Sequence, residues 1–167
     1  EAIMLDKIFS LVRVTRKLVL GKNASLVVTS TDGTETTLGV PVTEVVSATR
    51  TLTAAENGKI VILSSATEFV TTLPAAALGL RFTFIVGAAP SGASYTVVSA
   101  SSANIIKGRQ NSVAGDAGDT GTADDTITFV DGQALAGDKV EVYSDGTSWF
   151  AYAISAVAAG VTFTQAS

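Results

Sequence analysis

A chain of 167 residues is long enough to fold as one domain, or as one domain with an arm, without covalent staples. It contains neither cysteine nor histidine, which excludes disulfides, thiolate metal sites and any catalytic mechanism that needs a His or Cys side chain. Hydrophobic residues make up 47% of the chain and charged residues only 16%, so we expect the protein to bury sheet surface by forming an oligomer.

Positive charge is concentrated at the N-terminal end. The net charge is −4, yet residues 1–22 hold five bases and two acids, a balance of +3 that leaves −7 for the remainder. Apolar spacing fits a helix over residues 5–12 and a strand over residues 11–20, so the type of element stays open. We interpret the segment as an arm that docks on an acidic surface; the alternative is a solvated face of a helix or strand. The docking candidates are Lys7, Arg13, Arg16, Lys17 and Lys22.

A hairpin follows the arm. The β-branched runs 25–29 and 34–38 flank a turn that contains Asp32-Gly33. Pro41 then marks an edge or a link, because proline cannot donate to a central ladder. We therefore divide the chain into residues 1–42, an arm and hairpin for attachment or oligomerisation, and residues 43–167, a β-sandwich domain.

The larger region repeats short strands separated by turns. Three further tight-turn dipeptides, Asn57-Gly58, Asp131-Gly132 and Asp145-Gly146, are typical of two-residue hairpin loops. Single helical turns are predicted at 53–56 and at 75–78. Many short strands at this spacing favour an all-β sandwich, jelly roll or barrel. The predicted strands are 43–47, 50–52, 59–64, 68–73, 81–86, 95–100, 126–130, 139–144, 149–154 and 161–164.

The stretch from Gly108 to Asp125 is rich in Gly, Ala, Asp and Thr, and we predict a long mobile loop, or one that a neighbouring subunit orders. Its four carboxylates have the chemistry of a glycosidase pair or of a weak Ca²⁺ site, but their spacing matches no Ca²⁺ loop. A solvated acidic loop is the preferred interpretation, with no catalytic residue and no cofactor. The four are Asp116, Asp119, Asp124 and Asp125.

Other kinds of ligand have weaker support. Trp149 follows a predicted Asp-Gly turn, and we interpret its ring as packing across the strands of a hairpin. The alternative is that the ring stacks on a sugar. No run of about 18 apolar residues predicts a membrane helix. A sequence pI of 4.7 argues against nucleic acid as a partner.

Four segments carry a resemblance to a known group of proteins. The runs 48–59, 71–75 and 79–85, together with the closing hairpin 142–149, resemble segments of tailed-bacteriophage virion proteins. The resemblance covers roughly residues 44–155. In this region the chain looks like the β-structured head decoration, or cement, proteins and like fibre proteins. The resemblance implies an all-β protein on the outside of the particle that assembles as a homotrimer.

These observations lead to one expectation and two rivals. We expect a non-enzymatic structural virion protein that decorates and stabilises the capsid from its outer surface, with the major capsid protein lattice as partner. The first rival is a receptor-binding tail-fibre module that recognises a host glycan. The second is a glycan-cleaving spike domain that uses carboxylates.

Overall fold

The computed structural model describes residues 26–29, 35–38, 42–65, 67–112 and 123–165. The chain forms two compact units, Glu1–Val40 and Pro41–Ser167. In the first unit, β1 (Leu26–Thr29) pairs antiparallel with β2 (Glu35–Leu38), which confirms the predicted hairpin strands. The arm up to residue 22 and the Asp32-Gly33 turn lie outside the described residues.

The second unit is all-β, as predicted, and its described residues form twelve strands in two mixed sheets. No α-helix occurs among the described residues, and none of them forms a helix able to cross a membrane. The strands are β3 (Thr43–Val46), β4 (Arg50–Thr51), β5 (Ile60–Leu63), β6 (Phe69–Thr72), β7 (Leu78–Val86), β8 (Tyr95–Val98), β9 (Ile106–Ser112), β10 (Ala123–Asp124), β11 (Thr126–Phe129), β12 (Lys139–Asp145), β13 (Trp149–Ser155) and β14 (Val161–Thr164).

The chain winds between the two sheets in its first half. The seven-stranded sheet has the order β10-β9-β13-β12-β7-β5-β3, and the five-stranded sheet has the order β14-β11-β8-β6-β4. Strands β3 to β8 alternate between the sheets, and each of β3 to β6 pairs in parallel with the strand two places later in the chain. The jelly-roll connectivity expected from the sequence is not confirmed, because a jelly roll pairs its strands antiparallel.

The turn dipeptides explain part of the difference between the predicted and the observed connectivity. Asn57-Gly58 is not a hairpin loop: Gly58 has φ +82° and Lys59 N donates to Glu56 O at 3.1 Å, a type II turn that leads into β5. Asp131-Gly132 also connects strands of different sheets. Of the three dipeptides in the described part of the second unit, only Asp145-Gly146 lies in a hairpin, between β12 and β13, and its loop holds four residues because Ser144 pairs with Trp149. A tight turn thus fixes a change of direction but not the sheet that the chain enters next.

One hydrophobic core lies between the two sheets. Burial alternates along the strands, so that residues such as Phe82, Phe84 and Trp149 of one sheet face Phe69 and Phe129 of the other. All five are at most 2% exposed. The predicted turn at 53–56 is confirmed as a 3₁₀ turn, Ala54–Glu56, with a capping box from Thr53. The predicted helical turn at 75–78 is wrong, because 73–77 is irregular and β7 begins at Leu78.

Candidate functional site

The predicted docking residues Lys7, Arg13, Arg16, Lys17 and Lys22 lie outside the described residues, as do Asp116 and Asp119. Asp124 and Asp125 are described, and the structure corrects their assignment to a solvated loop. Asp124 is 5% exposed and Asp125 is 2% exposed, and the strands β9 and β10 occupy both ends of the stretch that was predicted to be a loop. Strand β9 pairs in parallel with β13. The backbone hydrogen bonds of this pair stabilise a segment whose polar side chains bury little apolar surface.

The aromatic hairpin divides its rings between two environments. Trp149 is fully buried, and its ring centroid lies 6.0 Å from that of Phe82 on β7, so the ring packs in the core as interpreted, but its aromatic partner is not on its own hairpin. Tyr143 and Tyr152 lie on the opposite face of the same hairpin, where their rings meet edge to face at 6.3 Å and remain half exposed. Outward aromatic rings are thus present, but they are not the one that the sequence singled out.

The outer face of the seven-stranded sheet gathers both apolar and basic side chains; we name it the basic face. Register places Val45, Ile62 and Ile85 side by side across β3, β5 and β7, and continues the row through Lys139 to Ile154. The large apolar members are Val45, Ile60, Ile62, Ile85, Tyr143, Phe150, Tyr152 and Ile154, and the charged members are Arg81, Lys107, Arg109, Lys139, Glu141 and Asp145.

Four cations and two carboxylates, Glu141 and Asp145, give the basic face a charge of +2. Lys139 Nζ donates to Glu141 Oε1 at 3.0 Å and Tyr143 Oη donates to Glu141 Oε2 at 2.7 Å. The Tyr143 hydrogen bond, and then that of Lys139, lowers the pKa of Glu141 below its ordinary value. The bond to Glu141 in turn raises the pKa of the Tyr143 phenol. A shallow depression of about 210 Å³ lies beside these groups, between Arg81, Glu141 and Tyr143.

The remaining cations of the basic face are Arg81, Lys107 and Arg109. None of the three forms an ion pair within the part of the chain that the structure describes. Lys107 lies over the ring of Phe150, with 5.3 Å between its Nζ and the ring centroid, a cation–π contact that leaves the ammonium at the surface. These three charges are therefore available to an external anionic group.

The outer face of the five-stranded sheet is different, and we name it the threonine face. Its nine outward side chains include no charge and no large exposed hydrophobic residue. They are Thr51, Val70, Thr72, Thr96, Val98, Thr126, Thr128, Thr162 and Thr164. Threonine and valine are the residues that β-propensity favours on a sheet surface, so this composition needs no binding role to explain it.

One end of the sandwich holds a ring of alternating charges. Arg50 and Lys59 each form an ion pair with both Glu44 and Glu56, with Lys59 Nζ 2.6 Å from Glu44 and 2.5 Å from Glu56. Burial alone would raise the pKa of Glu56, but hydrogen bonds from Lys59, Thr53 and Arg50 lower it to about 2. The hydrogen bond from Lys59 also lowers the pKa of Glu44. Both carboxylates are therefore ionised near neutral pH, whereas a glycosidase needs one protonated acid.

No protein-family model, curated protein or solved structure matches the chain. Among the described residues no group of Asp and Glu side chains has an arrangement able to hold a metal ion. Function is accordingly inferred from the faces of the sandwich. The sequence did contain a signal for the basic face, namely period-two alternation. Lys107 and Arg109 alternate with inward residues along β9, and Tyr152 and Ile154 do so along β13. That signal assigns a side chain to an outer face but does not reveal its cross-strand neighbours.

Proposed function

We propose that the protein is a non-enzymatic structural protein of a tailed-bacteriophage virion, which decorates the outer surface of the capsid and stabilises it as a cement protein. The observation that carries the proposal is the distribution of exposed apolar side chains. Of the seven large hydrophobic side chains that the described residues expose, Tyr143, Tyr152 and Ile154 lie together on β12 and β13 of the basic face, and Val45 lies on the same face at the edge strand β3. Clustered exposed apolar residues mark protein contact surfaces.

Two further features support a structural role. The segments that resemble phage virion proteins include β4 and parts of β6, β7 and β12, and the chain lacks the His and Cys side chains that Ser-His and Cys-His nucleophilic sites require. In the proposed assembly the protein is a homotrimer that contacts the major capsid protein lattice, and the basic arm of residues 1–22 contributes to docking. Light scattering at micromolar concentration tests the trimer, and a monomer that stays monomeric on the shell contradicts it.

Copy number tests the proposed role directly. Quantitative mass spectrometry of purified particles, with the major capsid protein as internal standard, should find hundreds of copies per particle. Imaging of the particle at subunit resolution should place them between capsomers on the head. Tens of copies or fewer, located on the tail, would contradict the cement role.

A receptor-binding tail-fibre module is the second candidate. The depression beside Tyr143, with the Arg81 guanidinium and the Glu141 carboxylate at its rim, combines an aromatic ring with polar groups as sugar-binding sites do. Binding of host-cell polysaccharide that is lost in Tyr143→Ala and retained in Thr128→Ala would favour this candidate. The absence of such binding, together with a high copy number, would favour the cement role.

A further inference from the structure

The two outer faces of the sandwich meet the same solvent but differ in chemistry. The threonine face has no charged side chain, whereas the basic face carries +2 on a chain whose net charge is −4. Since both faces belong to sheets of the same domain, general β-propensity explains the threonine face and leaves the basic face unexplained.

We propose that the basic face binds an acidic protein surface, which is that of the capsid shell if the proposed function, on which this inference rests, is correct. Charge complementarity identifies the occupant, because Arg81, Lys107 and Arg109 have no ion-pair partner in the described part of the chain and their field attracts anionic groups. The shell surface recognised would carry carboxylates opposite these three cations.

The row of aliphatic side chains makes a protein a better occupant than nucleic acid. Val45, Ile62 and Ile85 form a continuous strip across three parallel strands, with Val45 63% exposed. A phosphate backbone offers nothing apolar to cover such a strip, and nucleic-acid affinity relies on many more phosphate contacts than three unpaired cations supply. An acidic protein surface with apolar side chains satisfies both parts of the face.

The same charge argues against a symmetric pairing of two basic faces. A two-fold interface would place the +2 of one copy against the +2 of the other, and like charges in an interface cost binding energy. A different protein surface, rich in Asp and Glu, avoids this repulsion. The occupant is therefore the shell and not the same face of a second copy.

The test uses the full chain and purified heads that were assembled without it. The variant Lys107→Gln/Arg109→Gln removes two positive charges from the basic face, and the matched control Thr51→Glu/Thr164→Glu changes net charge by the same amount at two exposed positions on opposite edge strands of the threonine face. A second pair, Val45→Ser/Ile154→Ser against Val70→Ser/Val98→Ser, tests the apolar component. Thermal unfolding followed by circular dichroism shows whether each variant is folded. If a basic-face variant is not folded, Arg81→Gln replaces it.

We expect the basic-face variants to raise the dissociation constant for heads at least roughly tenfold at about 0.15 M salt, while the threonine-face controls bind as the wild type does. Wild-type binding should weaken with added salt more steeply than binding of Lys107→Gln/Arg109→Gln. If the wild type binds and the basic-face variants bind equally well, this inference is wrong and the proposed function stands. If the wild type does not bind, the proposed function is wrong as well. A change of oligomeric state in the basic-face variants alone would identify a second copy as the occupant and overturn the inference.

Discussion

Gly108 on β9 lies directly against the ring of Phe163 on β14, in the other sheet. A Cβ atom added to Gly108 would come within 2.2 Å of the Phe163 Cγ, far inside van der Waals contact. Both residues are buried, and Gly108 occupies an inward position of its strand. The glycine is therefore needed at this position because it lets a phenyl ring approach the backbone, a recognised use of glycine within a strand.

We predict that Gly108→Ala destabilises the sandwich by about 3 kcal/mol, because the added methyl group must displace Phe163 from a packed core. Chemical denaturation followed by circular dichroism measures the loss. Phe163→Leu frees space at the same point, so the double variant should lose less stability than the two single variants together. Strict additivity of the two losses would show that the two residues do not contact each other.

Gly108 also shows why the sequence misplaced an element. Glycine and the polar residues after it favour a loop on composition, yet pairing with β13 in seven consecutive residues makes 106–112 a strand. The partner strand begins at Trp149, about forty residues later in the chain, and local composition carries no information about it. The part of the predicted loop at 113–122 lies outside the described residues.

Strands were predictable where β-branched runs are bounded by turns, and all ten strands predicted from Thr43 onward are confirmed within a few residues. Their partners were not predictable, since alternation gives the face of a side chain but not its neighbour. The same limit applies to the candidate site. Val45, Arg81, Lys107 and Tyr152 come from four separate strands, and only the register brings them onto one face.

Asp138 connects two loops of the sandwich. Its Oδ2 accepts the Leu135 N–H at 2.9 Å and its Oδ1 accepts the Ala156 N–H at 2.8 Å. We predict that Asp138→Ala lowers the free energy of unfolding by about 2–3 kcal/mol, because both donors lose their partner in a largely buried site. Asp138→Asn keeps one acceptor oxygen and should lose about half as much. Denaturant unfolding at neutral pH measures both.

The matched control for Asp138 is Asp131→Ala, which removes one hydrogen bond, from the Gly92 N–H at 2.9 Å, at a half-exposed position. Asp131→Ala should lower the free energy of unfolding by only about 1 kcal/mol. Equal losses at the two positions would show that the second hydrogen bond and the burial of Asp138 contribute nothing.

Acid should weaken the ring of charges formed by Glu44, Arg50, Glu56 and Lys59. The pKa of Glu56 is about 2 in the folded protein and 4.5 ordinarily, so the unfolded chain binds this proton more readily. The stabilisation is complete above about pH 4.5 and is lost as the pH falls toward 2. We predict a decrease of about 2 kcal/mol over this window once screening by solvent is included, measured by urea unfolding at a series of pH values.

Glu56→Gln should be less stable than the wild type at pH 7 and should show a flatter pH dependence between 4.5 and 2. Glu68→Gln removes an exposed carboxylate outside the ring and should keep the wild-type pH dependence. A Glu56→Gln profile parallel to that of the wild type would assign the acid sensitivity to other carboxylates.

Trp149 is the single tryptophan of the chain, and it combines complete burial with an indole N–H that has no hydrogen-bond partner among the described residues. An unpaired buried donor costs about 1–3 kcal/mol, and replacing the indole by a phenyl ring leaves a cavity that costs a similar amount. The two effects oppose each other in Trp149→Phe, so we predict a net loss below about 1 kcal/mol, measured by circular dichroism because the variant lacks its fluorophore. Phe84→Leu serves as the control, since it also reduces a fully buried ring but removes no unpaired donor, and it should lose more stability than Trp149→Phe. If Trp149→Phe is instead the more damaging of the two, the fit of the indole against Phe82 outweighs the cost of its unpaired N–H.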